Sequence, residues 1–494
     1  MSEQKSFDDI IQSVPIEKML ELYPHRSLQE CASANDTIIS PETQKFYLAY
    51  YARAAYEHVG FEQFSDENKL KFKKSIENIY AGIGGDKKQA DFLKDLAQTA
   101  QYIEDRHFEV GNGNSEPCHG GMPRPDRTVG KNFIYRTAEE RPESYRQEGY
   151  SELTSQTGER IPVWEIGTMK KGDEAILVVS IFDIAHRDNS YEAWRDFIEK
   201  FDELYLENKE KWDRGRIIID VRGNRGGEDK PIDHVAKRLY GNLVNTYKRC
   251  EIKDTALSNH FLHQHGAYKP QNYEREGYTS DALIQRNHFS GQNQVLFDET
   301  QTFYPFNEER GYKGRIDILQ CARVASSAES AYTSFYHHPN VRYIGENTHG
   351  MQQYVQGTFN TPWGGIMRVA WGKLTYWDKE GENIEVTGHK PDIDCSGQDA
   401  FDVALSIDRD QGRILGFRKK NEPIKGKEVY AEYDPKAESD PRKAYHARFI
   451  EPAIREVEQK NINMEHLREL KKQNIKKSPS VDARWQYFSL KEEK

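Results

Sequence analysis

Two serines, Ser326 and Ser327, stand where an apolar run gives way to small residues in RVASSAESAYTSF (323–335). A serine at the start of a helix commonly caps it, and Glu329 lies three residues after Ser326, which is the spacing of a capping box. A hydroxyl that a neighbouring base can deprotonate is instead a nucleophile for acyl transfer. Local sequence favours the cap, so the chemical alternative depends on the rest of the chain.

A glycine-rich turn, DVRGNRGG (220–227), follows the apolar run RIIID (216–220). Gly226 and Gly227 leave the backbone free to adopt unusual dihedral angles and to approach a ligand closely. Their amides are candidates to stabilise a developing oxyanion. A plain strand-to-helix turn is the alternative when this motif is considered alone. The serine stretch has the same strand-to-helix pattern, which places the amide of Ser327 at a helix N-terminus, where negative charge is favoured.

Metal binding is the less favoured interpretation of the remaining candidate ligands. His260, His263 and His265 in NHFLHQHG have a spacing that could ligate a metal, but no partnering cysteine or HExxH pattern accompanies them. The five cysteines show no CxxC spacing, which argues against a disulfide framework and a zinc knuckle. We expect neither a metal nor another cofactor.

The elements that must position these groups alternate between strand and helix. AILVVSIFDI (175–184) and RIIID (216–220) predict strands, with an amphipathic helix between them that begins near Ser190. A continuously apolar strand is typical of a sheet buried on both faces. The alternation predicts an α/β fold with an at least partly parallel sheet.

Composition changes along the chain predict four segments. We expect a helical N-terminal domain over 1–110, a loop-rich insertion over 111–160, an α/β core over 161–409 and a charged helical tail over 410–494. The roles of the tail and of the polar excursion at 250–312 stay open.

Composition also excludes several classes of function. The chain has 494 residues and a net charge of −10, and no basic block with interleaved aromatics suggests a nucleic-acid partner. The N-terminus has no uninterrupted apolar region of a secretory signal, and no apolar run is long enough to cross a bilayer. We therefore expect a cytoplasmic protein without a membrane partner.

Four motifs follow one another along the chain: DVRGNRGG, VASSAES, VRYIGENTHG and IEVTGHKPDI. Together they resemble the C-terminal processing (tail-specific) serine peptidase family, which includes tricorn-like peptidases. The resemblance covers roughly residues 60–400 and implies a crotonase-like α/β peptidase core.

The resemblance also implies site residues. The family nucleophile opens a Ser-x-x-Glu pattern, which here is Ser326 with Glu329. The following amide, that of Ser327, belongs to the oxyanion hole, and Gly226 or Gly227 is expected to supply the second amide.

The expected general base departs from the tail-specific pattern. Processing peptidases carry a lysine directly after the turn that reads GENTHG here, and this position is Met351. The tricorn-like branch uses a histidine near the end of the helical region and a later glutamate, which correspond to His107 and Glu385. Arg106 stands where that branch has a second serine. His349, in the GENTHG turn, is the rival base.

We therefore predict a serine endopeptidase with Ser326, His107 and Glu385 as catalytic residues and a peptide or protein substrate. A catalytically inactive peptide-binding protein on the same scaffold is the main alternative, because the family lysine is missing. An acyl-CoA enzyme is weaker, since fold alone does not carry function. Cleavage specificity and assembly as a homo-oligomer stay open.

Overall fold

The computed structural model describes residues 5–14, 37–111, 117–118, 142–154, 158, 160–184, 190–244, 249–253, 255, 258, 293–298, 302–376, 384–395, 397–407 and 427–428. The histidine cluster at 260–265 lies outside these residues, as do nearly all of the predicted tail and much of the predicted insertion.

Helices occur throughout the described chain, in the order α1 (Phe7–Gln12), α2 (Pro41–Tyr56), α3 (Asp66–Gly82), α4 (Gln89–Ala100), α5 (Ser190–Glu207), α6 (Lys209–Asp213), α7 (Lys230–Tyr240), α8 (Ser330–Thr333), α9 (Ile384–Thr387) and α10 (Ala400–Ser406). Short 3-10 turns occupy Phe61–Gln63 and Ser326–Glu329. Within this part of the chain, no helix has both the length and the apolar character that crossing a bilayer requires.

Strands fall into two large sheets and two short pairs. In chain order the strands are β1 (Ile38–Ile39), β2 (Lys87–Lys88), β3 (Glu109–Gly111), β4 (Pro117–Cys118), β5 (Arg146–Thr154), β6 (Arg160–Lys171), β7 (Glu174–Ile181), β8 (Arg216–Asp220), β9 (Arg249–Lys253), β10 (Asn293–Asp298), β11 (Thr302–Phe303), β12 (Arg315–Gln320), β13 (Val341–Gly345), β14 (Tyr354–Asn360), β15 (Ile366–Thr375), β16 (Ile393–Asp394) and β17 (Lys427–Glu428).

The main sheet brings the glycine turn and the serines together. Its order is β16-β13-β12-β8-β7-β6-β5, parallel from β16 to β7 and antiparallel from β7 to β5. Strands β8 and β12 precede the two motifs and are neighbours, and Leu319 pairs with Asp220 near their carboxyl ends. Because parallel strands end at the same side of a sheet, both motifs leave it side by side, where ligand sites of α/β sheets commonly form.

Helices cover both faces of this sheet, which explains its continuously apolar strands. Ile217 and Ile219 of β8 belong to the same apolar cluster as Phe201 of α5. Ile218, pointing the other way, clusters with Phe401 of α10. A strand buried on both faces has no polar side to alternate with. The expected α/β core is therefore confirmed.

The second sheet links the N-terminal helices to distant strands. Its order is β10-β9-β15-β3-β4, and β14 also pairs with β15. Leu48 of α2, Phe92 of α4 and Met367 of β15 belong to one apolar cluster. The pairing of β3 with β15 crosses the predicted boundary at residue 110 and fastens the chain directly after His107. The division into four domains stays a prediction.

Two segments differ from their expected structure. β5 lies in the predicted loop-rich insertion and pairs with β6 at one edge of the main sheet. Its side chains are mostly exposed or half-buried, so its sequence lacks the apolar alternation of a core strand. β14 and β15, expected to close the α/β core, join the second sheet instead. Their apolar side chains pack against the N-terminal helices, which no local pattern indicates.

Candidate active site

Ser326 has a strained backbone between β12 and α8. The 3-10 turn Ser326–Glu329 begins at this serine. Its φ of +55° makes Ser326 the one non-glycine residue with a left-handed backbone in the described chain. This conformation costs an L-residue about 1–2 kcal/mol. Such strain clusters at functional sites, where the surrounding structure enforces it.

The hydroxyl of Ser326 does not cap the turn. Ala325 occupies the cap position and makes no side-chain cap hydrogen bond. Only one of the two hydrogen bonds of a capping box is present: the Ser326 amide donates to Glu329 Oε2 at 3.1 Å. The expected helix is also short, because four residues of α8 follow the turn, so its dipole contributes little. Ser326 is half-buried, and its hydroxyl is left for other chemistry.

Gly226 packs directly against the serines. A Cβ atom on Gly226 would lie 2.6 Å from Ser326 Cβ and 2.8 Å from the Ser327 amide nitrogen. It would also lie 2.7 Å from the Ala325 carbonyl oxygen. The Ser327 hydroxyl donates to the Gly227 carbonyl at 3.0 Å. The glycine turn and the serine turn are therefore in contact, and only a residue without a side chain fits at Gly226.

The two glycine amides are not equivalent. The Gly226 amide donates to Asn224 Oδ1 at 2.9 Å, and Asn224 Nδ2 in turn donates to the Ile181 carbonyl at 3.0 Å. This amide is therefore already engaged by a buried side chain. Gly227 is exposed and has a φ of +140°, so its amide is the better candidate for an oxyanion donor.

Glu329 is a buried carboxylate that ties the serine turn to the loop after β13. Its Oε2 accepts from the amides of Ser326 at 3.1 Å and Met351 at 2.7 Å. Its Oε1 accepts from the Gly350 amide at 2.9 Å and from the Thr348 hydroxyl. Burial raises the pKa of Glu329, and these hydrogen bonds oppose the rise. Met351 thus contributes a backbone amide at the position where the family lysine is missing.

His107 and Glu385 lie close together, and Asp105 lies with them. A ring nitrogen of His107 and a carboxylate oxygen from each acid lie within 4.8 Å of one another. Asp105 Oδ1 accepts the His107 backbone amide at 2.8 Å and lies 3.8 Å from His107 Nδ1. Glu385 Oε1 accepts the Gln353 amide at 2.8 Å, and Oε2 accepts the Arg106 amide at 3.4 Å. The tertiary structure thus joins the two predicted residues through a third.

The same three residues have the spacing of a metal site, but their oxygens are already used. Asp105 Oδ2 accepts hydrogen bonds from His58 Nε2 at 3.0 Å and Gln356 Nε2 at 2.8 Å. The other three carboxylate oxygens accept backbone amides. We therefore interpret the cluster as a hydrogen-bonded network.

Burial affects the two acids of this network differently. Burial raises the pKa of Glu385 well above its ordinary value, and the nearby carboxylates of Asp105 and Glu329 raise it further. Burial also disfavours ionised Asp105. However, the hydrogen bond from His58, together with the charge that the His58 and His107 rings carry when protonated, outweighs burial and holds the Asp105 pKa below its usual range. The surroundings therefore favour ionisation of Asp105 over ionisation of Glu385.

His349, the rival base, is attached to the loop before the serine turn. Its Nδ1 lies 3.3 Å from the Ala322 carbonyl oxygen, and the Arg106 guanidinium donates to the His349 carbonyl. Among the described residues, the Ser326 hydroxyl forms no hydrogen bond with the ring of either His107 or His349. The structure therefore places Ser326 against the glycine turn and His107 beside Glu385. The loop after β13 connects the two groups, because its Met351 amide donates to Glu329 and its Gln353 amide donates to Glu385.

Sequence reasoning missed two members of the network, Asp105 and His58. Asp105 stands two residues before His107, so the pattern Asp-x-His was a local signal that could have revealed it. His58 follows α2 and reaches Asp105 only through the fold, so no sequence pattern indicates it.

Comparisons with known proteins place the peptidase motifs in a family. The sequence model of peptidase family S41 matches residues 175–395, which include the glycine turn, both serines and Glu385. No curated protein matches the chain in sequence.

Solved structures show only distant likeness. A candidate peptidase from Parabacteroides merdae is 14% identical over 74% of this chain and 96% of its own, with a TM-score of 0.48. The photosystem II D1 C-terminal processing protease is 10% identical over 71% and 92%, with a TM-score of 0.35. The tricorn protease is 12% identical over 74% and 36%, with a TM-score of 0.34. The family match agrees with the motifs: residues 175–395 are similar to peptidase family S41, and the chain is a serine-type peptidase.

Proposed function

We propose that this peptidase cleaves internal peptide bonds through an acyl-enzyme formed on Ser326. The observation that carries the proposal is the strained backbone of Ser326, which holds a hydroxyl outside its capping role and against the glycine turn. Ser326 Oγ attacks the scissile carbonyl carbon, and a histidine takes the hydroxyl proton and returns it to the leaving amine. Water then attacks the acyl-enzyme with the same histidine as base, which releases the second product and restores Ser326.

The amides of Ser327 and Gly227 are the proposed oxyanion donors. The contact between the Ser327 hydroxyl and the Gly227 carbonyl supports this pair, because it holds the two turns in register. Gly226, whose amide is engaged by Asn224, acts instead by letting the glycine turn approach Ser326 closely. Preorganised amides of this kind are commonly the largest electrostatic contribution to acyl transfer.

His107 is the proposed general base. Imidazole has an ordinary pKa near 6.5 and suits proton transfer at neutral pH. Two carboxyl groups, those of Asp105 and Glu385, lie beside the His107 ring, as expected for a base that must be oriented. His349 instead contacts the Ala322 backbone carbonyl through Nδ1.

Labelling with a fluorophosphonate probe tests the nucleophile. We expect the wild-type chain to be labelled and Ser326→Ala to be unlabelled while folded. Ser406→Ala, which changes an exposed serine at the end of α10, is the matched control and is expected to label normally. Labelling that persists in Ser326→Ala would exclude Ser326 as the nucleophile. A folded wild-type chain that never labels would favour the inactive peptide-binding alternative.

Peptide hydrolysis by His107→Ala and His349→Ala tests the base. Removing a general base typically lowers the rate by about 10²–10⁴-fold. We expect a loss of this size in His107→Ala and a smaller one in His349→Ala. The reverse order would assign the base to His349.

A further inference from the structure

We propose that Asp105, positioned by His58, is the carboxylate that orients His107 and balances the charge that His107 gains during catalysis. This inference deepens the proposed function and rests on His107 as the general base. It assigns Asp105 and His58 as positioning residues.

Asp105 holds His107 at two points. Its Oδ1 accepts the His107 backbone amide at 2.8 Å, which fixes the local chain. The same oxygen lies 3.8 Å from Nδ1 of the ring, close enough for an ion pair and slightly too far for a hydrogen bond. Such contacts are commonly long in free enzymes and shorten when substrate binds. With Nδ1 facing Asp105, we assign proton transfer to Nε2.

His58 holds Asp105 from the opposite side. The Gly60 amide donates to His58 Nδ1 at 2.9 Å, so Nδ1 is an acceptor and the proton resides on Nε2. His58 Nε2 then donates to Asp105 Oδ2 at 3.0 Å. Both side chains are fully buried, so water does not compete with this bond.

The surroundings restrict movement of this pair. The His58 ring packs at 4.9 Å from the Tyr354 ring and 5.1 Å from the Phe64 ring, measured between centroids. Gln356, on strand β14, donates through Nε2 to Asp105 Oδ2 at 2.8 Å. Orientation of the carboxylate is therefore set by groups on separate elements.

Glu385 is not suited to the same role. Two carboxylates this close cannot both ionise easily in a buried site. Glu385 accepts only backbone amides through its oxygens, whereas Asp105 accepts from side chains as well. Burial and the charges of Asp105 and Glu329 raise the Glu385 pKa, so the neutral form is favoured. Burial raises the pKa of the neighbouring Tyr354 phenol, so this group adds no negative charge to the site.

The chemical consequence follows from the charge of the histidine. When His107 takes the Ser326 proton it becomes an imidazolium, and an ionised carboxylate at Nδ1 stabilises it and fixes the tautomer that precedes it. Glu385, whose ionisation burial opposes, stabilises the imidazolium less. Removal of Asp105 should therefore affect turnover more than substrate binding.

The pH dependence of kcat distinguishes the two acids. We expect Asp105→Asn to lower kcat by about 10²-fold or more, with KM changed by less than about threefold. The acidic limb of its kcat–pH profile should move to lower pH, because losing the negative charge of Asp105 lowers the pKa of the histidine beside it. Glu385→Gln should leave that limb in place, whatever its effect on kcat. A limb that moves in Glu385→Gln and not in Asp105→Asn, or in neither, would overturn the inference.

A second pair of variants covers the case in which Asp105→Asn does not fold. His58→Gln keeps an N–H donor near Asp105, whereas His58→Leu keeps bulk without a donor. We expect folded His58→Leu to lose at least tenfold in kcat and His58→Gln to recover most of it. Equal rates in the two variants would contradict a positioning role. Ser326→Ala is measured in parallel. Activity that persists in Ser326→Ala overturns the proposed function. If Ser326→Ala is inactive while the Asp105 and His58 variants keep normal activity, this inference alone is overturned.

Discussion

The backbone amide of Ser326 donates to the carboxylate of Glu329 at 3.1 Å. The same oxygen accepts the Met351 amide at 2.7 Å, so one buried acid connects the strained serine to the loop after β13. The left-handed backbone of Ser326 is thus maintained by a partner three residues away. This arrangement leaves the hydroxyl outside the hydrogen bonds of the turn.

Replacing Ser326 with glycine should destabilise the fold less than replacing it with alanine, which is the reverse of the usual order. Alanine keeps the Cβ atom that disfavours a φ of +55°, whereas glycine does not. We expect Ser326→Gly to be more stable than Ser326→Ala by about 1 kcal/mol. Ser330, with a φ of −63°, is the matched control, where glycine should be less stable than alanine by about 0.5–1 kcal/mol. Urea unfolding of the four variants measures both differences, and the same order at both positions would refute strain at Ser326.

Alanine at Gly226 should damage both stability and catalysis. Its Cβ would lie within 2.8 Å of the serine backbone, at a φ of +94°. We expect a loss of more than about 1 kcal/mol in unfolding free energy and about 100-fold in rate, because the oxyanion donors move. Gly84→Ala, with no atom within 4 Å of the added Cβ, is the control. Hydrolysis rates of both variants provide the measurement, and equal rates would mean that the glycine turn does not constrain Ser326.

Leucine at Met351 should preserve most activity. Met351 contributes its backbone amide to Glu329, and the exchange of side chains nearly conserves volume, which usually costs less than about 1.5 kcal/mol. Glu329→Gln is the contrasting variant, since it replaces an acceptor of four donors with a group that itself donates. We expect peptide hydrolysis to fall much further in Glu329→Gln. A loss in Met351→Leu as deep as that in Ser326→Ala would show that the side chain takes part.

The stability of the fold should depend on pH through Glu385. Its pKa in the folded chain lies above the ordinary 4.5, chiefly because of burial. Its contribution to stability is therefore complete below about pH 4.5 and is lost as the pH rises through the folded-state value. The melting temperature of the wild type relative to Glu385→Gln should fall between pH 4.5 and neutrality.

A control separates this effect from general titration of the surface. Glu148→Gln changes an exposed acid on β5, so its melting temperature should differ from the wild type by a constant amount across the same pH range. A constant difference for Glu385→Gln as well would mean that Glu385 ionises without cost in the fold.

Cleavage should not require a free substrate C-terminus. Tail-specific peptidases commonly capture that terminus with an inserted PDZ domain through β-augmentation. Between His107 and β8, the elements β5, β6, β7 and α5 occupy most of residues 146–207. The remaining interval, mainly 112–145, is shorter than a domain of about 90 residues.

Two versions of one peptide, with a C-terminal carboxylate or amide, test this expectation. We expect their cleavage rates to agree within about tenfold, which corresponds to about 1.4 kcal/mol. A larger preference for the carboxylate would show that another part of the chain recognises it.

Local patterns were sufficient for the core of the fold. The continuously apolar run at 216–220 indicated a strand buried on both faces, and Ile217 and Ile218 do face opposite clusters. The helix α7 likewise ends at Gly241, which adopts the left-handed φ of +61° typical of a helix C-cap. Such features depend on neighbouring residues, so periodicity and turn chemistry reveal them.

Edge strands and distant pairings were not predictable in this way. β5 is polar because it lies at a sheet edge, and β15 pairs with β3 from a remote part of the chain. A polar edge strand resembles a loop in sequence, and the pairing of β15 with β3 leaves no local hydrophobic pattern. The predicted helix at Ser326 was also shorter than expected, since Glu329 is drawn into contacts with the next loop.

By itself, the sequence determined the likeness to peptidase family S41, the α/β core and the serine and glycine motifs, because these depend on residue types at short spacing along the chain. Only the tertiary structure decided that Gly226 contacts Ser326, that Glu329 supports the serine backbone, and that His58 reaches Asp105 beside His107. The physical reason is that these contacts join residues from separate strands and helices. Their hydrogen bonds and the charges of the buried acids arise only when folding removes them together from water.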